Sequence, residues 1–214
     1  MKTRILGGPF KGARVLLNLS DSKRKLLGVY EHILNDWIRT SCPGKSFAID
    51  VGANDGYHTY GFAHLLSRAN RTSANILAFE PDASMFPGLT CPRNWSCYSN
   101  TSVQIIQKYA GSTNNDTMAT LDQTYSDFSM CHDQSGIIKI DVEGAEVEVM
   151  KGAKSVITRK EISWLIEIHG RNLIPEIAEF FITAKRPFLV KELSPLPLIG
   201  AEKRDVDTYW LVTI

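Results

Sequence analysis

The chain has 214 residues, 43% of them hydrophobic and 22% charged, with a formal net charge of +1. That length is ample for one well-buried core, and the near-neutral charge removes any bulk electrostatic case for nucleic acid or an anionic membrane as a partner. No apolar run reaches the roughly 18 residues of a transmembrane helix. The only apolar run near the N-terminus, Val15 to Leu17, is too short for a signal-peptide core, so a cytoplasmic location is expected. The four cysteines, Cys42, Cys91, Cys97 and Cys131, contain no C-x-x-C pair and read as free thiols. Cys91 with Cys97 is the one pairing worth testing.

Residues 1 to 20 read as two short strands around the turn signal Gly7-Gly8-Pro9. Residues 22 to 40 read as a helix, because Tyr30, Ile33, Leu34, Trp37 and Ile38 form one apolar stripe that Cys42-Pro43-Gly44 then stops. From Ser46 short apolar runs alternate with helical stretches. Strands are expected at Phe47 to Val51, Ile76 to Phe79, Val103 to Tyr109, Gly136 to Ile140 and Ile162 to Ile168. Helices are expected over Tyr57 to Ala69, over a segment in which Ala145, Val149, Ala153 and Val156 share a face, and over Leu173 to Ala184. Pro187 to Leu193 and Tyr209 to Ile214 read as closing strands. Continuous apolar strands separated by helices predict a mostly parallel sheet covered on both faces. We expect a single domain over 1–214, with residues 1–45 as a hairpin-and-helix extension and 46–214 as a Rossmann-like core.

The chemistry sits at the strand ends. In IDVGANDGYHT, Ile49 to Thr59, an apolar strand ends at Asp50-Val51 and enters a turn containing Gly52, Asn54 and Gly56. Glycine and asparagine visit left-handed backbone readily, and open α/β sheets bind ligands at such turns. Alone, this turn fits an ordinary tight connection equally well. It is not the G-x-G-x-x-G dinucleotide fingerprint. In LAFEPD, Leu77 to Asp82, Glu80 lies 24 residues past Gly56 and is placed to accept both ribose hydroxyls of an adenosine-containing cofactor. Asp82 is the better candidate for a helix cap there. In IIKIDVEGAEVEVMKGA, Ile137 to Ala153, Asp141 ends a strand and projects toward the same crevice. Lys139 is expected at a strand edge or snorkelling. Glu143 favours the helix N-terminus electrostatically. Glu146 and Glu148 read as a solvated helix face without function. In WLIEIHG, Trp164 to Gly170, Glu167 alternates with apolar residues and His169 ends the strand, where it either closes a strand-end hydrogen bond or opens onto the crevice.

The ordered set IDVGANDG, FEP, TLDQTYSDF (Thr120 to Phe128), KIDVEGAEVEVMKGA and IEIH resembles the FkbM-type family of S-adenosylmethionine (SAM)-dependent methyltransferases. LLGVYEHIL, Leu26 to Leu34, resembles short members as well. The resemblance implies SAM as cofactor, a Rossmann-like α/β fold with a seven-stranded sheet and an antiparallel C-terminal edge, and methyl transfer to a hydroxyl of a small-molecule or glycan acceptor. On that reading Asp50, Gly52, Asn54, Gly56, Glu80 and Asp141 bind the cofactor. Glu143 and Glu167 face the acceptor. His169 acts as general base, with Asp141 orienting its imidazole or taking the proton itself. Asp141, Glu167 and His169 are of metal-ligating types, but their spacing is loose and metal-free catalysis is expected. A nicotinamide-dependent oxidoreductase and a non-catalytic SAM-fold binding protein are the alternatives. Oligomeric state is left open.

Overall fold

The computed structural model describes residues 1–18, 22–69, 74–128, 134–196, 200, 202, 204 and 206–214. Cys131 lies outside them. Seven strands form the main sheet: β3 (Phe47–Val51), β4 (Ala74–Phe79), β5 (Thr101–Ile106), β8 (Gly136–Ile140), β9 (Ile162–His169), β10 (Phe188–Glu192) and β11 (Thr208–Thr213). Their order is β10-β11-β9-β8-β3-β4-β5. All neighbours are parallel except β11, which runs antiparallel to both β9 and β10. The fold class and the antiparallel edge are those expected from the sequence.

Each central strand is apolar end to end because both faces are covered. One face packs against α5 (Leu121–Asp127), α6 (Glu146–Lys151) and α7 (Ile174–Thr183), through Leu121, Val149, Met150, Ile177 and Phe181. The other packs against α3 (Tyr57–Ala69), α2 (Asn35–Ser41) and the hairpin of β1 (Lys2–Arg4) with β2 (Arg14–Leu16). Chain order runs from β3 outward to β4 and β5, then crosses back to β8 and β9 on the other side. The reversal falls between β3 and β8, and such a switch point opens a crevice at the carboxyl ends of the strands.

Three local expectations need correction. The stretch 22–40 is not one helix. α1 (Lys23–Leu27) stops at Gly28, whose φ is +70°, and a second helix builds from His32. The break brings Gly28 onto the hairpin turn, where an added Cβ would lie 2.0 Å from the Gly7 carbonyl oxygen. Leu34, Trp37 and Ile38 of the apolar stripe are buried as expected. The third strand ends at Ile106, and Tyr109–Ala110 (β6) pairs separately with Met118–Ala119 (β7). The buried face of α6 begins at Glu146 rather than Ala145, which is exposed. Cys91 and Cys97 are both free.

Candidate active site

The first wall of the crevice is main chain. Gly52 has φ +76°, and a Cβ there would lie 1.7 Å from the Asp141 carbonyl oxygen. Only glycine lets the ends of β3 and β8 approach this closely. Asn54 also has positive φ, +49°. Its amide donates to Glu80 Oε2 at 2.7 Å, and the Asp82 amide donates to Glu80 Oε1 at 2.9 Å. Two backbone donors thus orient the Glu80 carboxylate, while lone pairs remain for a ligand. Asp82 caps the following turn by accepting from the Ser84 amide at 2.8 Å.

Gly52, Asn54, Glu80, Asp141 and Glu143 line one cavity of about 310 Å³, together with Phe79, Lys108, Tyr109, Ala110 and Val142. That size is at the lower end for small-molecule sites. Two expected cofactor residues are absent from the lining. Asp50 is fully buried beneath it, accepting from Thr59 Oγ1 at 2.6 Å and ion-paired with Lys139 at 3.2 Å. Burial pushes its carboxyl above the usual range, against the pull of Lys139. Asp50 therefore supports the floor and does not reach the cavity. Gly56, φ +82°, faces the Gly88 carbonyl and Leu89 of α4 (Phe86–Arg93) and serves packing at the start of α3.

The second wall is held by charge, and of its residues only Asp141 and Glu143 line the cavity, while Glu167 and His169 lie outside the lining. Lys139 is neither at an edge nor snorkelling. It sits in the sheet interior, 1% exposed, directly opposite Asp50 in the β3–β8 register. Its ammonium lies 3.2 Å from Asp141 Oδ2 and donates to the Gly52 carbonyl at 3.0 Å. Burial opposes its charge, but Asp141 and Asp50 outweigh burial and hold the pKa above the ordinary lysine value. Burial likewise opposes the charge of Asp141, which Lys139 and His169 keep ionised, below the usual carboxylate range.

Glu146 is fully buried, contrary to its reading as a solvated residue, and its Oε1 lies 2.6 Å from His169 Nδ1. It also accepts from the Gly144 amide. The imidazole is therefore oriented by Glu146, not by Asp141 as expected. His169 Nε2 faces Glu143 at 3.3 Å, Asp141 at 3.8 Å and Glu167 at 4.0 Å. Burial lowers the pKa of His169, and the Glu146 contact and neighbouring carboxylates raise it to a net value above normal. One ligand atom from each of Asp141, Glu167 and His169 lies within 4.8 Å of the other two, a tighter set than the sequence spacing suggests. Glu167 is fully buried, and burial, Asp141 and Glu31 push its carboxyl up to about 10.

Two residues that sequence reasoning did not single out complete this wall. Arg204, from the C-terminal segment, lies 2.9 Å from Glu167, 2.9 Å from Glu31 and 3.2 Å from Glu202. Glu31, from the N-terminal extension, is buried, and burial with Asp141 pushes it up to about 7. The apolar period around α6 does carry a signal for Glu146, since 146, 149, 150 and 153 fall on one helical face. Arg204 has no such local signal.

The fold and the crevice together define a Rossmann-like architecture of the SAM-methyltransferase kind. Residues 117–188 match the family model described as the Methyltransferase FkbM domain, and the resemblance to that family holds. Among solved structures, the chain is similar to the methyltransferase FkbM from Methylobacillus flagellatus, at 17% identity and TM-score 0.55. The match covers 79% of this chain but only 44% of that one. The N-terminal domain of human METTL16 in complex with SAH is similar at 14% identity and TM-score 0.53, covering 93% of this chain and 72% of that one. A SAM-dependent O-methyltransferase from Thermotoga maritima is similar at 12% identity and TM-score 0.51, covering 95% and 78%. At these identities the likeness is one of fold. A search of curated proteins finds no match. Among the described residues no helix is long and apolar enough to cross a membrane.

Proposed function

We propose that the protein is a SAM-dependent methyltransferase acting on a hydroxyl of a small-molecule or glycan acceptor. The observation that carries this reading is the Glu80 carboxylate, fixed by the Asn54 and Asp82 amides and facing a cavity at the switch point of the sheet. Its geometry suits the two vicinal hydroxyls of a ribose. Gly52 and Asn54 supply close backbone beside it for the methionine part, and Lys108 and Tyr109 border the remaining side. The residues present therefore fit the cofactor that the family resemblance implies.

Bound SAM supplies a methyl group already activated as an electrophile by its sulfonium. The chain's own residues have two further duties. The rigid first wall holds the cofactor so that an acceptor oxygen approaches in line, and such positioning provides much of the acceleration. The second wall receives the acceptor. Asp141 stands where the two walls meet. His169, with Nδ1 fixed by Glu146, turns Nε2 toward the acceptor side, so these two residues manage the hydroxyl's proton. Glu143 faces the acceptor from the cavity lining, whereas Glu167 is fully buried and outside it.

A thermal-shift panel with SAM, S-adenosylhomocysteine, NAD and NADP tests this reading. A ligand at about a hundred times its dissociation constant adds about 2.7 kcal/mol, and each kcal/mol raises the melting temperature by about 2–4 °C for a chain of this length. Stabilisation by SAM and S-adenosylhomocysteine alone is the expected result. Stabilisation by a nicotinamide nucleotide instead contradicts it.

A further inference from the structure

We propose that the second wall of the crevice holds a divalent cation, ligated by Asp141, Glu167 and His169. The inference draws on the methyltransferase reading for the ion's purpose, but not for its binding.

The first support is geometric. Ligand atoms of the three residues already lie within 4.8 Å of one another. Octahedral ligands at about 2.1 Å from an ion sit roughly 3 Å apart, so side-chain movements of about an ångström close the set. The second support is the imidazole. Its Nδ1 is engaged by a fully buried carboxylate, Glu146, at 2.6 Å. A metal-ligating histidine characteristically donates its other nitrogen in this way, which leaves the Nε2 lone pair for the ion. Nε2 faces carboxylate oxygens of Glu143, Asp141 and Glu167 at 3.3, 3.8 and 4.0 Å, so a cation that displaces its proton is met by oxygen on every side.

The third support is Glu167. It is fully buried, and neither of its oxygens accepts a hydrogen bond among the described residues, although Arg204 stands 2.9 Å away. Arg204 is shared with Glu31 and Glu202, so a buried carboxylate this sparsely bonded gains from a further cation. Four carboxylates, Asp141, Glu143, Glu146 and Glu167, surround the ring. Arg204 has Glu31 and Glu202 as further partners, so it is not stranded when Glu167 turns to the ion.

Two carboxylates with one imidazole suit a cation of intermediate hardness, and Mn²⁺ is the natural probe. Three protein ligands leave coordination positions open for an acceptor hydroxyl, whose proton the ion makes easier to lose, so with the ion bound His169 serves as ligand and not as the base. The oxygen then bonds to the methyl carbon as the carbon–sulfur bond breaks. The products are the methyl ether, S-adenosylhomocysteine and a proton released to solvent.

The test is an Mn²⁺ titration of tag-free, EDTA-treated protein, read by the electron paramagnetic resonance signal of free Mn²⁺. Uptake of about one equivalent is expected, weakened at least tenfold in each of Glu167→Gln, His169→Ala and Asp141→Asn. Absence of stoichiometric uptake by the unmodified chain, or uptake unchanged in all three variants, overturns the site. Cooperative unfolding of each variant is checked alongside, and the unmodified chain's titration stands whether or not a variant folds. S-Adenosylhomocysteine binding is measured on the same samples. Its failure with Mn²⁺ uptake intact strikes the methyltransferase reading alone, and the reverse strikes the metal site alone.

Discussion

At Gly52 and Glu80 the crevice is shaped by main chain, whereas at Asp141, Glu167 and His169 it is shaped by charge. The first wall needs one residue without a side chain and one carboxylate held by two amides. The second needs Lys139, Glu146, Arg204 and Glu31 as well, drawn from β8, α6 and both ends of the chain. The difference is one of robustness. A wall of backbone tolerates change around it. A wall of mutually buried charges transmits the loss of any member to the rest, because each was desolvated on the strength of its partners.

The sharpest way to break this contrast is at Lys139. Lys139→Met keeps the volume and removes the charge, leaving Asp50 and Asp141 without their cation. Removing one partner of a buried pair is expected to destabilise by about 3–5 kcal/mol. Denaturant unfolding reads this as a lower midpoint at unchanged slope. A loss under about 1 kcal/mol means the second wall does not depend on its charges. At the other extreme stands Glu148, exposed on α6 and bonded to Ser112 and Lys151. Glu148→Ala is expected to change stability by no more than about 0.5 kcal/mol. It shares a helix with Glu146, so the same unfolding experiment shows whether burial, and not helix membership, sets the effect.

The contrast also explains what was legible in the sequence. β3, α3 and β8 fall where their periodicity places them, because apolar runs and glycine turns are local signals. Gly52, Asn54 and Glu80 meet for the same reason: a strand end, a turn and the next strand end suffice to bring them together. Lys139 carries a misleading signal, since a lysine in an apolar run normally marks an edge and its partner Asp50 lies on a different strand. Strand-end position likewise does not reveal that the Asp50 side chain is buried beneath the cavity. Arg204 and Glu31 meet from 173 residues apart, and no period or motif links them. The expected helix over 22–40 failed at Gly28, where contact with the hairpin turn overrode the apolar stripe.

The account rests on the first wall being a cofactor site, and calorimetric titration with S-adenosylhomocysteine measures that directly. The unmodified chain is expected to bind one equivalent. Glu80→Ala, folded as judged by its melting curve, is expected to lose about 1.5–3 kcal/mol, the range for hydrogen bonds to a charged group, or roughly 10- to 150-fold in affinity. Equal affinity in the two proteins, or no binding by the unmodified chain, contradicts the claim.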